Sequence, residues 1–120
     1  MTRLRVKTRG GAPAEGKPRV YFTCHPADFE RSFERICGDL FKAADCAVYC
    51  TEDMEDRLPE ETRETDLERM NLFVVPVSLK LLLEENRAMG EDVPFAREKG
   101  IPVLLDEEAG EWLRQAEPEE

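Results

Sequence analysis

Residues 23 to 30 contain no glycine, although this is the turn after the first apolar run. That lack excludes the Gly-x-Gly-x-x-Gly fingerprint of a dinucleotide-binding Rossmann turn. The four cysteines, Cys24, Cys37, Cys46 and Cys50, form no Cys-x-x-Cys pair, which argues against a zinc ribbon. No apolar run approaches the ~20 residues of a membrane span, and the basic, Gly/Pro-rich stretch 1–17 has no apolar h-region of a signal peptide. The expected compartment is therefore the cytoplasm, where the cysteines stay reduced. The acidic run Glu52 to Glu64 lacks the Asp-x-Asp-x-Asp-Gly spacing of a calcium loop and reads as solvated surface.

What is present is a chain of 120 residues, enough for one domain with its own core. Its charge is lopsided. The first 20 residues carry +5, while the whole chain is at −10. The segment 1–17 reads as a flexible basic leader, solvated unless it touches RNA, an anionic lipid or an acidic partner. The acidic remainder argues against nucleic acid as the main ligand, because phosphates would be repelled.

Hydrophobic periodicity then sets the architecture. An apolar strand at about 18–24 is followed by Phe29, Phe33, Ile36, Cys37, Leu40, Phe41 and Ala44 at helical spacing, with Pro26 in the first turn. Cys46 to Cys50 is a second short strand. A polar loop runs from Thr51 to Glu64, with a short helix expected from about Glu60 to Arg69. Met70 to Val77 is the most apolar stretch and fits a central parallel strand, ending at Pro76. Ser78 is placed to cap a leucine-rich helix that Gly90 should break. A further helix at Asp92 to Lys99 ends at Gly100, a fourth strand follows at Ile101 to Leu105, and a last helix is anchored by Trp112 and Leu113. The final residues 117–120 read as an acidic tail. Alternation of this kind predicts an α/β fold, a flavodoxin-like open parallel sheet of four or five strands with helices on both faces over 18–116.

Several chemistries fit that order but not these residues. A phospho-receiver needs an acidic pair after the first strand and an Asp ending the third; here stand Cys24-His25 and Val77-Ser78. A cysteine phosphatase needs Cys-x5-Arg, and Arg31 comes one position late. Cys24, His25 and Cys50 could converge at neighbouring strand ends as a metal or thiolate–imidazolium cluster. Three soft ligands without a fourth make a poor zinc site, so two buried cysteines and a surface histidine are the simpler expectation.

The segment Val20-Tyr21-Phe22-Thr23-Cys24-His25-Pro26-Ala27-Asp28 resembles the first box of the Toll/interleukin-1 receptor (TIR) domain in its bacterial form. Leu72-Phe73-Val74-Val75-Pro76-Val77-Ser78 is similar to that family's third strand, and Ile101-Pro102-Val103-Leu104 to its fourth. The loop after Cys50, with Glu52-Asp53 and Leu58-Pro59, sits where the family has its BB loop. The resemblance covers residues 18–105 and is to a divergent or truncated member. It implies cleavage of NAD, or cyclisation of its ADP-ribose part, by a glutamate about a dozen residues past the strand-end serine. Glu91 lies 13 residues after Ser78, in Arg87-Ala88-Met89-Gly90-Glu91, where the family often has Trp-Cys-x-x-Glu. Glu84 and Glu85 come too early. The resemblance also implies a nucleotide near Cys24, His25, Asp28 and Ser78, a mobile lid from Thr51 to Glu61, NAD as substrate with no cofactor or metal required, and partners in self-association, other TIR domains or a downstream effector domain. A glycohydrolase needs a concave pocket beside Glu91. A non-catalytic interaction module would be flat there, with Glu91 only a surface carboxylate near a helix N-terminus.

Overall fold

Val20, Tyr21 and Phe22 are all fully buried, although successive side chains of a strand point to opposite faces. Both faces of the strand are therefore covered. A computed structural model, describing residues 2–116, shows how. The acidic tail expected at 117–120 lies outside the described residues.

Five strands form one sheet: β1 (Leu4–Thr8), β2 (Arg19–Phe22), β3 (Ala47–Thr51), β4 (Leu72–Val74) and β5 (Val103–Leu104), in the order β1-β3-β2-β4-β5. The last four are parallel, and β1 joins antiparallel, with Leu4 opposite Thr51 and Thr8 opposite Ala47. Among the parallel strands the direction of winding reverses between β2 and β4, the topological switch point where open α/β sheets place ligands. The architecture is the α/β open sheet expected, compatible with a flavodoxin-like layout.

Helices α1 (Phe29–Ala43) and α5 (Asp106–Ala116) cover one face. There Phe33, Ile36, Leu40, Ala109 and Leu113 pack on Val20, Phe22, Val48, Leu72 and Val74, and Trp112 packs at the margin of this cluster. On the other face α4 (Val93–Lys99) and the short α2 (Glu60–Thr65) lie near a cluster of Tyr21, Leu58, Leu67, Met70, Phe73, Ala96 and Ile101. Tyr21 and Phe73 tilt against each other at 4.8 Å between centroids, a contact aromatic rings favour. Gly100 ends α4 in the left-handed conformation at φ 72°, where its N–H reaches back to the carbonyls of Ala96 and Arg97. The remaining helix is α3 (Leu79–Leu83), started by Ser78, whose hydroxyl accepts the Leu81 amide at 3.1 Å.

Three expectations need correction. The segment 1–17 is not simply a leader: β1 lies within it. Alternating basic and apolar residues are what an edge strand with one solvated face looks like, and they pass for a charged tail in sequence. Gly90 does not break a helix. It sits inside a π turn, Ala88–Asp92, that runs straight into α4. The loop Thr51 to Glu64 is not wholly solvated, because Met54 and Leu58 are buried. That loop is also tied to the start of the chain. The Asp53 N–H donates to Thr2 Oγ1 at 2.8 Å, the Thr2 N–H to the Arg57 carbonyl at 3.2 Å, and the Glu52 N–H to the Arg3 carbonyl at 2.9 Å.

Candidate functional site

Beyond the carboxyl ends of β2 and β3 the chain turns to polar residues, and two layers of polar contact form there. The inner layer is centred on Arg87, whose side chain is 4% exposed, and Asp92, 2% exposed. Arg87 Nε donates to Asp92 Oδ2 at 3.1 Å, and the Thr23 hydroxyl donates to the same oxygen at 2.6 Å. Arg87 Nη2 donates to Thr51 Oγ1 at 2.9 Å, and Nη1 to the carbonyls of Asp53 and Asp56 at 3.1 and 2.6 Å. One guanidinium thus joins the ends of β2 and β3 to the backbone of the long loop. Burial pushes the Asp92 carboxyl up, against the opposing pull of Arg87 and Thr23. The sequence reading missed this pair, since an arginine and an aspartate among other charges look like surface. The available signal was the period of α4, which carries position 92 onto the same side as the buried Ala96.

The outer layer holds the residues singled out from sequence. Glu91 lies beside Asp92 in the chain but is 26% exposed and turned outward. Its Oε1 meets Arg57 Nη2 at 2.8 Å and Arg63 Nη1 at 3.8 Å. Beside it is an open cleft of about 620 Å³ lined by Glu55, Leu81, Leu82, Glu84, Glu85, Asn86, Arg87, Met89, Gly90 and Glu91. The surface next to Glu91 is therefore an open, shallow cleft rather than an enclosed pocket. Glu84, set aside as too early in sequence, reaches the same cleft because α3 is only one turn and a half long and the chain folds back after it.

His25 points toward that cleft through Glu84. Its Nδ1 accepts the Ala27 amide at 3.1 Å, so the ring proton sits on Nε2, which donates to Glu84 Oε1 at 2.9 Å. Asp28 and Ser78 meet across the switch point: the Ser78 hydroxyl donates to Asp28 Oδ2, and Arg31 donates to Asp28 Oδ1 at 2.8 Å. The Ser78 bond, then Arg31, holds the Asp28 carboxyl below the usual carboxylate range. A separate recess of about 280 Å³ is lined by Asp28, Arg31, Ser32, Arg35, Pro76, Val77 and Ser78.

Cys24 is 1% exposed and belongs to the core. Burial pushes its thiol up to about 12, so it offers no thiolate at neutral pH. His25 bonds to Glu84 and Ala27, and neither partner is a cysteine. Among the described residues no group of 3 or more His, Cys, Asp or Glu side chains is arranged to hold a metal ion. Of the five residues expected at the site, then, Glu91 lines the cleft, His25 is linked to it only through Glu84, Asp28 and Ser78 form a neighbouring pair, and Cys24 lies beneath in the core. No family model, no curated protein and no solved structure matches this chain.

Proposed function

We propose that this chain is a TIR-type domain that binds NAD beyond the carboxyl ends of its parallel strands and cleaves the bond between nicotinamide and ribose. The observation that carries this reading is the cleft of about 620 Å³ whose wall combines Glu55, Glu84, Glu85 and Glu91 with Leu81, Leu82 and Met89. Carboxylates beside apolar side chains suit the nicotinamide riboside end, a flat ring bearing positive charge. In the reaction the bond from ribose C1′ to the pyridinium nitrogen breaks with its electron pair going to nitrogen, so nicotinamide leaves neutral. The positive charge passes to C1′ and the ring oxygen. Glu91 is the carboxylate assigned to stabilise that oxocarbenium-like state and to hold the ribose hydroxyls. Water then attacks C1′ and loses its proton; attack by an adenine nitrogen would give a cyclic product instead. No cofactor or metal enters the chemistry.

The test is nicotinamide release by the purified chain at high concentration with a crowding agent, beside Glu91→Gln. Release by the parent and none by the variant supports the reading. Equal release by both moves the chemistry away from Glu91. No release by either, with folding confirmed by circular dichroism, favours a second reading, a non-catalytic TIR interaction module or the amino-terminal part of a larger signalling protein. That alternative has its own support in Val77, Leu79, Leu82, Leu83, Met89 and Leu105, large apolar side chains exposed on and around α3. Leu82→Asp with Leu83→Asp would then abolish self-association in sedimentation experiments. The described residues contain no helix long and apolar enough to cross a membrane, and none enters this proposal.

A further inference from the structure

A carboxylate already held by two guanidinium groups is poorly placed to meet an incoming cation, and Glu91 is in that state. The two arginines differ in how they are held. Arg63 is half-buried, its guanidinium over the Phe95 ring at 5.4 Å, and its Nη2 donates to the Glu91 carbonyl at 3.4 Å. Arg57 is 70% exposed and reaches in from the long loop. Both line a second cavity of about 460 Å³, with Asp56, Leu58 and Glu60 as the rest of its wall. Glu91 lines the first cleft, and its Oε1 lies 2.8 and 3.8 Å from the two arginines that line the second, so this side chain stands between the two cavities. Each guanidinium has five N–H donors and gives Oε1 only one contact, which leaves donors over for a ligand. The Asp56 carboxylate is engaged by the Arg57 amide at 2.8 Å.

We infer that Arg57 and Arg63 are the seat for the pyrophosphate of a dinucleotide, and that the ligand uncovers Glu91 by taking these arginines from it. The identity of the whole ligand rests on the NAD reading above; the anion seat rests on the arginines and their cavity. A pyrophosphate presents several oxygens and more negative charge than one carboxylate, and the planar fork of arginine matches it in two-point contact. Once released, Glu91 turns to the cleft it already lines. The pyrophosphate and the nicotinamide riboside of one molecule are adjacent groups, as are the two cavities.

The probe is inorganic pyrophosphate, titrated calorimetrically into the full chain at low ionic strength, where exposed charges are least screened. The parent should bind it, and Arg63→Gln should weaken binding about tenfold or more. Glu91→Gln, which frees both arginines, should tighten it. No binding to the parent, or a Glu91→Gln variant that binds no better than the parent, overturns the proposal even if Arg63→Gln fails to fold. The outcomes also separate the two readings. Nicotinamide release without pyrophosphate binding sinks the seat and leaves the NAD reading standing. Pyrophosphate binding that tightens in Glu91→Gln, without nicotinamide release, keeps the seat and sinks the cleavage.

Discussion

Glu91 and Asp92 are neighbours in the chain, both are paired with arginine, and they do opposite work. Asp92 is sealed against Arg87, with Thr23 sharing the same carboxylate oxygen. Glu91 is partly exposed and is held by arginines from the loop and from α2. Taking a charge out of water is costly, and a buried pair recovers that cost only when its hydrogen bonds are complete. Around Arg87 they are: among the described residues no buried side-chain nitrogen or oxygen lacks a partner. The inner pair therefore fixes where the loop sits. The outer pair is the more exposed of the two, at 26% for Glu91 and 70% for Arg57, and under the proposal above it is the pair that exchanges partners. One helix turn thus carries a sealed carboxylate and a partly exposed one side by side.

The largest break of this comparison is Arg87→Ala. It strands Asp92 and frees the carbonyls of Asp53 and Asp56, and the expected loss is about 3–5 kcal/mol, read as a fall in the urea midpoint. The double change Arg87→Met with Asp92→Leu should recover most of that loss. A loss below about 1 kcal/mol in the single variant would mean that the inner pair is no anchor. Next comes Ser78→Ala, which removes the cap of α3 and the main cause of Asp28's lowered pKa, at an expected cost of about 1–2 kcal/mol at neutral pH. Because the folded value of Asp28 is lowered, its contribution is present above the ordinary aspartate range and lost as pH falls through the lowered value. The variant should accordingly have a shallower acid limb than the parent, and parallel acid limbs would remove Asp28 from the account. Glu91→Gln should change stability by less than about 1 kcal/mol, since exposed pairs contribute little, while abolishing nicotinamide release. The smallest effect is a null one. All four cysteines are buried, so they should resist iodoacetamide in the folded chain at pH 8 and react once urea unfolds it. Fast alkylation in the native state would show that the interior beneath Arg87 opens.

Most of the sheet was legible because its signals are local. The short apolar run Val20 to Phe22, the near-continuous apolar run at Leu72 to Val75, Ser78 as a cap and Gly100 as a stop each follow from a few adjacent residues. What stayed hidden depends on distant partners. β1 is a strand because β3 offers it an edge, and the alternation in Leu4 to Thr8, which suits an edge strand, also suits a charged tail. Arg87 and Asp92 look like surface charges until residues more than 30 positions away in sequence surround them. For the same reason the arginines that hold Glu91, Arg57 and Arg63, could not be picked out from the sequence. Glu84 entered the cleft through a reversal of the chain after α3 that leucine periodicity does not reveal.

Thr2 bonds to both ends of the segment that ends in Arg57, through Asp53 and through the Arg57 carbonyl itself. The practical consequence concerns how the protein is prepared. A purification handle or fusion partner joined ahead of Thr2 is attached next to the bonds that hold the loop carrying Arg57, and is expected to disturb that loop more than one attached elsewhere. Attachment behind α5 leaves that wiring alone, and a matched pair of preparations, tagged at either end, would measure how firmly the start of the chain governs the mouth of the cleft.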